Sequence, residues 1–164
     1  MIAAFDVHYL EDGCASAAAV LFYDYSDAEP SATFAQLLPD AAEYIPGKFY
    51  RRELPCIAAL LQQIKEPLDE IIIDGYVMLG NKPGLGMHLF NHINGSAPVI
   101  GVAKSRFKDA YAAEVFRGRS AHPLYITAVG MNLQKASEKI RVMCGDYRIP
   151  TMLKCVDILA RGKI

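Results

Sequence analysis

Two aspartates occupy positions where a buried strand would not ordinarily hold a charge. Asp6 interrupts the apolar run Ala3-Ala4-Phe5-Asp6-Val7, and Asp74 ends the run Ile71-Ile72-Ile73. A carboxylate taken out of water without a partner costs several kcal/mol by order of magnitude. If both strands are central, both carboxylates finish near one edge of the sheet and repel each other unless a cation lies between them. Ligation by oxygen alone suits Mg²⁺ or Mn²⁺. The competing reading is that both are strand-end or turn residues, Asp74-Gly75 being an ordinary turn dipeptide.

Other charged residues allow the same two readings. Glu53 follows Arg51 and Arg52 at the start of a helical pattern, where an acidic group also complements the helix dipole. Asp157 falls in the last helical pattern, where a solvated face is the default. Cations cluster at Lys48, Arg51 and Arg52, at Lys104, Arg106 and Lys108, and at Arg117 and Arg119. The second cluster directly follows a buried strand, in the kind of loop where such sheets present ligand-binding groups. Cations around inward carboxylates suit a phosphodiester substrate.

Several patterns carry no such chemistry. Gly80-Asn-Lys-Pro-Gly-Leu-Gly86 lacks the Gly-Lys-Ser/Thr ending of a P-loop and reads as a loop with close backbone approach. His88 and His92 have i, i+4 spacing but no third ligand nearby, which argues against zinc. Cys14, Cys56, Cys144 and Cys155 form no CxxC pair and read as free thiols in a reducing cytoplasm.

Positioning these residues requires a particular order of elements. Ile2 to His8 and Ser16 to Tyr25 read as an antiparallel hairpin about Glu11-Asp12-Gly13, and Ala32 to Leu38, bounded by Pro30 and Pro39, as a third strand. Glu53 to Lys65 has helical spacing and is stopped by Pro67. Buried strands follow at Ile71–Ile73, Pro98–Ala103 and Leu124–Val129. Helical patterns cover Leu85–Ile93, Leu133–Met143 and the segment after Pro150. The expectation is an α/β fold in which an antiparallel meander precedes parallel strands, with helices on both faces.

Composition supports this. The 164 residues suit a single domain over 1–164, and 52% hydrophobic against 21% charged residues allows a full core. No run approaches the roughly 20 apolar residues of a membrane helix, and the start has no basic n-region. With 17 Lys+Arg against 18 Asp+Glu, the net charge of −1 argues against a general polyanion coat but permits a local basic groove.

The chain resembles the endonuclease V family of the ribonuclease H-like superfamily. The resemblance rests on Ala4-Phe5-Asp6-Val7, Tyr44-Ile45-Pro46-Gly47, Arg52-Glu53, Ile73-Asp74-Gly75, Ile100-Gly101-Val102-Ala103-Lys104, Pro123-Leu124-Tyr125-Ile126 and Gly145-Asp146-Tyr147-Arg148-Ile149-Pro150, in the family's order. It implies that Asp6, Glu53 and Asp74 are metal ligands for Mg²⁺ or Mn²⁺, with Asp157 as a fourth acidic position. It also implies that Lys104 approaches the scissile phosphate. Tyr44, Ile45, Pro46 and Gly47 would form a wedge at the lesion, with Lys48, Arg52 and Arg106 on the nucleic acid. The implied reaction is hydrolysis of a phosphodiester one nucleotide 3′ to inosine in DNA or RNA, by a cytoplasmic monomer. Three stretches depart from the family. Tyr76-Val77 stands where the family has His-Gly, Val129-Gly130-Met131 where it has Val-Gly-His, and Met152-Leu153-Lys154 where it has Pro-Thr-Arg. A non-catalytic nucleic-acid binder and a ribonuclease H-like nuclease of other structure specificity are the alternatives.

Overall fold

The computed structural model describes residues 1–39 and 50–162. Strands β1 (Ile2–Tyr9), β2 (Ala15–Phe22) and β3 (Ala32–Leu38) run antiparallel in succession. After helix α1 (Tyr50–Leu61), strand β4 (Glu70–Asp74) pairs parallel to β1, with Phe5 opposite Ile73. A two-residue hairpin, β5 (Met78–Leu79) and β6 (Lys82–Pro83), leads into α2 (Leu85–His92). Strand β7 (Val99–Ala103) pairs parallel to β4. Strands β8 (Ala113–Val115) and β9 (Leu124–Val129) complete the sheet antiparallel, and helices α3 (Leu133–Val142) and α4 (Thr151–Ala160) end the chain. The seven-stranded order is β3-β2-β1-β4-β7-β9-β8.

The side-chain period of two divides the core between the two faces. Ala3, Phe5, Ile71, Ile73 and Val99 pack with Ile57 and Leu60 of α1 and Leu89 of α2. Ala4, Ile72, Ile100 and Val102 pack with Ala136 and Ile140 of α3 and Met152 and Val156 of α4. Both faces are therefore covered, as the unbroken apolar runs predict. Strand β2 places alanines on both faces, Ala17 and Ala19 on the α1 side and Ala18 on the α4 side, so little side-chain bulk separates either helix from the sheet.

The main element boundaries differ from the sequence expectation for local reasons. Strand β2 stops at Phe22 rather than Tyr25, because Asp27 accepts hydrogen bonds from the Tyr23 and Asp24 N–H groups, both at 2.9 Å, and turns the chain. Helix α1 begins three residues before Glu53 and ends at Leu61, not Lys65. Pro55 lies inside it on the exposed side, where it removes only the N–H that would reach the Arg51 carbonyl. The glycine-rich loop holds the β5–β6 hairpin, and the close approach expected there is present: a Cβ on Gly84 would lie 2.5 Å from the Tyr76 carbonyl oxygen. Among the described residues no helix is long and apolar enough to cross a membrane.

Candidate active site

Parallel pairing sets the geometry of the site. With Phe5 opposite Ile73, Asp6 and Asp74 leave adjacent strands at the same carboxyl edge. Both continue the even-numbered series that faces α4, and Lys104 continues the same series from Val102 on β7. Lys104 Nζ donates to Asp74 Oδ2 at 2.9 Å. From α4, Asp157 faces the same edge and is held by Arg161, whose Nε and Nη2 lie 3.0 and 3.1 Å from its two oxygens. Glu53 comes from the opposite layer, on the first turn of α1, and is only 7% exposed. Asp6, Glu53, Asp74, Asp157, Lys104 and Arg161 line one cavity of about 320 Å³.

Negative charge is concentrated here beyond what the cations offset. Burial, then the Asp74 charge, push the Asp6 carboxyl up to about 7, against the opposing pull of the Val7 N–H and Lys104. Burial, then Asp6 and Asp74, hold Glu53 well above the ordinary carboxyl value. Asp157 goes the other way: burial raises it, but the Arg161 pair outweighs that and lowers it. Burial alone would lower Lys104, yet its hydrogen bond to Asp74 and the surrounding carboxylates raise it.

As they stand, no three acidic, histidine or cysteine side chains among the described residues are close enough together to hold a metal ion. The donor set nonetheless suits a hard divalent cation. Its four acidic members offer carboxylate oxygens, with His8 and Tyr9 on the same cavity wall, and two of them, Asp6 and Glu53, have their ionised forms disfavoured by burial and by neighbouring carboxylates.

The sequence expectations meet this geometry unevenly. Asp6, Glu53, Asp74, Lys104 and Asp157 are brought together. Glu53 is a buried wall of the cavity rather than only a complement to the helix dipole, and Asp157 is a partly buried group paired with Arg161 rather than part of a solvated face. Arg52 lies over the Tyr9 ring, its Cζ 3.8 Å from the centroid, beside the cavity that Tyr9 lines. Arg106 is not brought to the cavity; it faces Glu114 at 3.5 Å. Tyr44, Ile45, Pro46, Gly47 and Lys48 lie outside the described residues. His88 stacks on Tyr50 at 3.6 Å rather than pairing with His92. Sequence reasoning missed Arg161, although its i+4 spacing from Asp157 was the signal. Tyr9 was missed as well; its odd position on β1 places it toward α1.

A seven-stranded mixed sheet with helices on both faces, and acidic side chains from β1, β4, α1 and α4 meeting at its carboxyl edge, defines an α/β protein with an acidic, cation-rimmed site. The sequence profile of Endonuclease V matches residues 1–147. Endonuclease V of Xanthomonas axonopodis pv. citri is 32% identical over 113 residues, 68% of this chain and 47% of the relative. Endonuclease V of Nostoc punctiforme is 28% identical over 99% of this chain and 82% of the relative. The match to the first of these relatives thus spans about half of that protein's length. The crystal structure of Ciona intestinalis Endonuclease V (D234N), in complex with a 23mer DNA containing an inosine followed by a ribo-adenosine, superposes with a TM-score of 0.84. It is 17% identical, and the match covers 99% of this chain and 84% of that one. The chain belongs to the Endonuclease V family.

Proposed function

We propose that this chain is a Mg²⁺- or Mn²⁺-dependent endonuclease that hydrolyses a phosphodiester on the 3′ side of a deaminated base, inosine, in DNA or RNA. The observation that carries this is the meeting of Asp6, Glu53, Asp74 and Asp157 around one cavity with Lys104 among them. Family membership supports the same reading, as does the inosine-containing DNA bound to the Ciona intestinalis neighbour.

Asp6 and Asp74, with Glu53 from the facing helix, would hold the cation, and Asp157 would sit beside them, oriented by Arg161. When bound, such a cation neutralises charge on the phosphoryl oxygens and activates water as a nucleophile. Lys104 places an ammonium group where a phosphate oxygen entering the cavity would replace Asp74 as its partner, and so stabilises charge that develops on that oxygen. Next to Asp6 and Asp74 the lining turns apolar, with Val102, Leu124 and Leu153, which partly shields the carboxylates from water and strengthens these interactions relative to open solvent. Tyr44 and its neighbours are proposed to part the strand at the lesion, as the family resemblance implies.

The test is a gel nicking assay with Mn²⁺ on otherwise identical strands carrying inosine, uracil or no lesion. The expected result is a single cut 3′ to inosine, abolished by chelation and by Asp6→Asn. Equal cutting of all three strands, or undiminished cutting by Asp6→Asn, would overturn the proposal.

A further inference from the structure

The catalytic cavity opens sideways into a larger groove of about 570 Å³. Lys104, Asp157 and Arg161 line both spaces, so the two are continuous. Beyond that shared rim the groove is walled by Arg119, Tyr147, Arg148 and Lys154. Its charge is one-sided: five cations against Asp157, which Arg161 already pairs. Neither Arg119 nor Lys154 makes an ion pair among the described residues, and both are exposed. Tyr147 is 76% exposed.

The groove is a built feature, because its two loops are locked together from behind. Arg117, 6% exposed, donates to the carbonyls of Arg141 and Met143 and, at 2.9 Å, of Gly145. Arg148 donates to the Lys104 carbonyl and, at 2.8 Å, to that of Pro123. Gly118, at φ +58°, packs against the Asp146–Tyr147 backbone so tightly that a Cβ would lie 2.4 Å from the Asp146 carbonyl oxygen. Arg119 and Tyr147 are thereby held beside the groove by contacts that neither of their side chains makes.

From this we infer that the groove binds the single-stranded continuation of the substrate on the 3′ side of the scissile bond, with a base stacked on Tyr147 and phosphates on Arg119 and Lys154. The inference rests on the nuclease reading of the adjoining cavity. A strand whose phosphate reaches Lys104 must leave the cavity in two directions. Arg52 and the start of α1 occupy one side; the groove is the other. The groove is assigned to the 3′ side of the cut, and affinity that grows with upstream rather than downstream length would overturn that assignment. An open tyrosine face takes an unpaired base, and cations that track a backbone supply affinity without reading sequence. This makes an unpaired downstream strand the preferred substrate and distinguishes the groove from a site for an acidic peptide, which offers no flat ring to Tyr147.

The test is fluorescence anisotropy with chelator present, so that nothing is cut, on single-stranded DNA carrying one inosine, a fixed upstream length and one, two, four or eight downstream nucleotides. Binding by the unaltered chain is expected to tighten about tenfold or more from one to four downstream nucleotides, the gain expected of one stacked base and its phosphates, and then to level off. Tyr147→Ala should lose about tenfold on the four-nucleotide strand and little on the one-nucleotide strand, with Tyr147→Phe restoring the affinity. The Arg119→Ala, Lys154→Ala double variant should reduce the salt slope by about 1.4, the value for two phosphate contacts on a single strand. Affinity independent of downstream length would overturn the inference. So would wild-type binding by Tyr147→Ala, or displacement of the strand by polyglutamate as effective as by an oligonucleotide of equal charge. Length-dependent binding by a chain that fails to nick inosine strands would support the groove and overturn only the nuclease proposal. Inosine nicking without length dependence would overturn only the groove.

Discussion

Lys104 Nζ and Asp74 Oδ2 lie 2.9 Å apart across the paired strands β7 and β4, each extending one strand's α4-facing series past the carboxyl edge. Both side chains are roughly half exposed, so the pair contributes little to stability. Its importance is positional. Lys104→Met should therefore leave the melting temperature within about 2 °C of the original, while nicking of an inosine strand falls by about 100-fold, the typical cost of one lost electrostatic donor. Single-turnover rates with saturating Mn²⁺ measure this. A variant that cuts at the original rate would remove Lys104 from the catalytic set.

Asp6 gives the chelated protein a pH-dependent stability of definite sign. Its carboxyl titrates near 3.8 in an open chain and near 7 in the folded one, chiefly because of burial and then because of Asp74. Between those values the folded state keeps a proton that the unfolded state has lost, so stability falls as pH rises. The contribution is complete below about pH 4 and is lost as pH passes 7. Glu53 is raised in the same direction and adds to it. Thermal melts in chelator should therefore show a lower melting temperature at pH 8 than at pH 5.5, and Asp6→Asn should flatten that difference. A melting temperature that rises over this interval in the original chain, or an Asp6→Asn variant with the same slope, would contradict it.

What the sequence disclosed follows from the range of the interactions involved. Strand β3 is bounded by two prolines and matches its expected limits, Ala32–Leu38. Unbroken apolar runs located β4 and β7 and put Asp6 and Asp74 near one edge of the sheet if both strands were central; that Asp6, Asp74 and Lys104 share one face depends on the parallel register of β1, β4 and β7. The hydrogen bonds of Asp27 that stop β2 early are local but depend on side-chain rotamer. Strand β8 is three residues long and, among the described residues, pairs only with β9, so it carries no pattern of its own. The groove walls were illegible for a different reason. Arg119 and Tyr147 are set by Arg117 reaching carbonyls 24 to 28 residues away, a relationship with no periodic trace.

Gly101 should be intolerant of any side chain. It lies in the middle of β7, opposite Ile73, with ordinary backbone angles, so the constraint is space rather than conformation. A Cβ there would lie 2.6 Å from the Gly75 carbonyl oxygen and 2.6 Å from Thr127 Oγ1, the hydroxyl that accepts the Val77 N–H at 2.9 Å. Gly101→Ala must push away the turn that follows Asp74, at a cost of about 1–3 kcal/mol. The expected outcome is a melting temperature several degrees lower together with a loss of nicking larger than the destabilisation explains, because Asp74 moves with its turn. Differential scanning fluorimetry and the nicking assay at 25 °C, where the variant remains folded, separate the two effects. Full activity in a folded Gly101→Ala chain would show that the turn's position is not critical.

The opposite end of the sheet supplies the matching control. Glu70 begins β4, and its two oxygens take the Tyr25 hydroxyl at 2.5 Å and the Lys139 ammonium, which also lies 4.8 Å from the Tyr25 ring centroid. The Glu70 and Lys139 side chains are 15% and 23% exposed, so removing the carboxylate strands a largely buried ammonium and a phenol. Glu70→Ala is expected to destabilise by about 1–3 kcal/mol, the cost of buried polar groups left without partners. For a domain of this size that is a fall of about 2–10 °C in melting temperature. Tyr25→Phe removes only one neutral partner of a carboxylate that keeps Lys139, so its effect should be the smaller of the two. Neither variant touches the carboxyl edge, and both should nick inosine strands at the original rate at 25 °C. A fall in rate without a fall in stability would mean that β4 transmits a change at its first residue to Asp74 at its last. The rigid pairing of β4 between β1 and β7 argues against that.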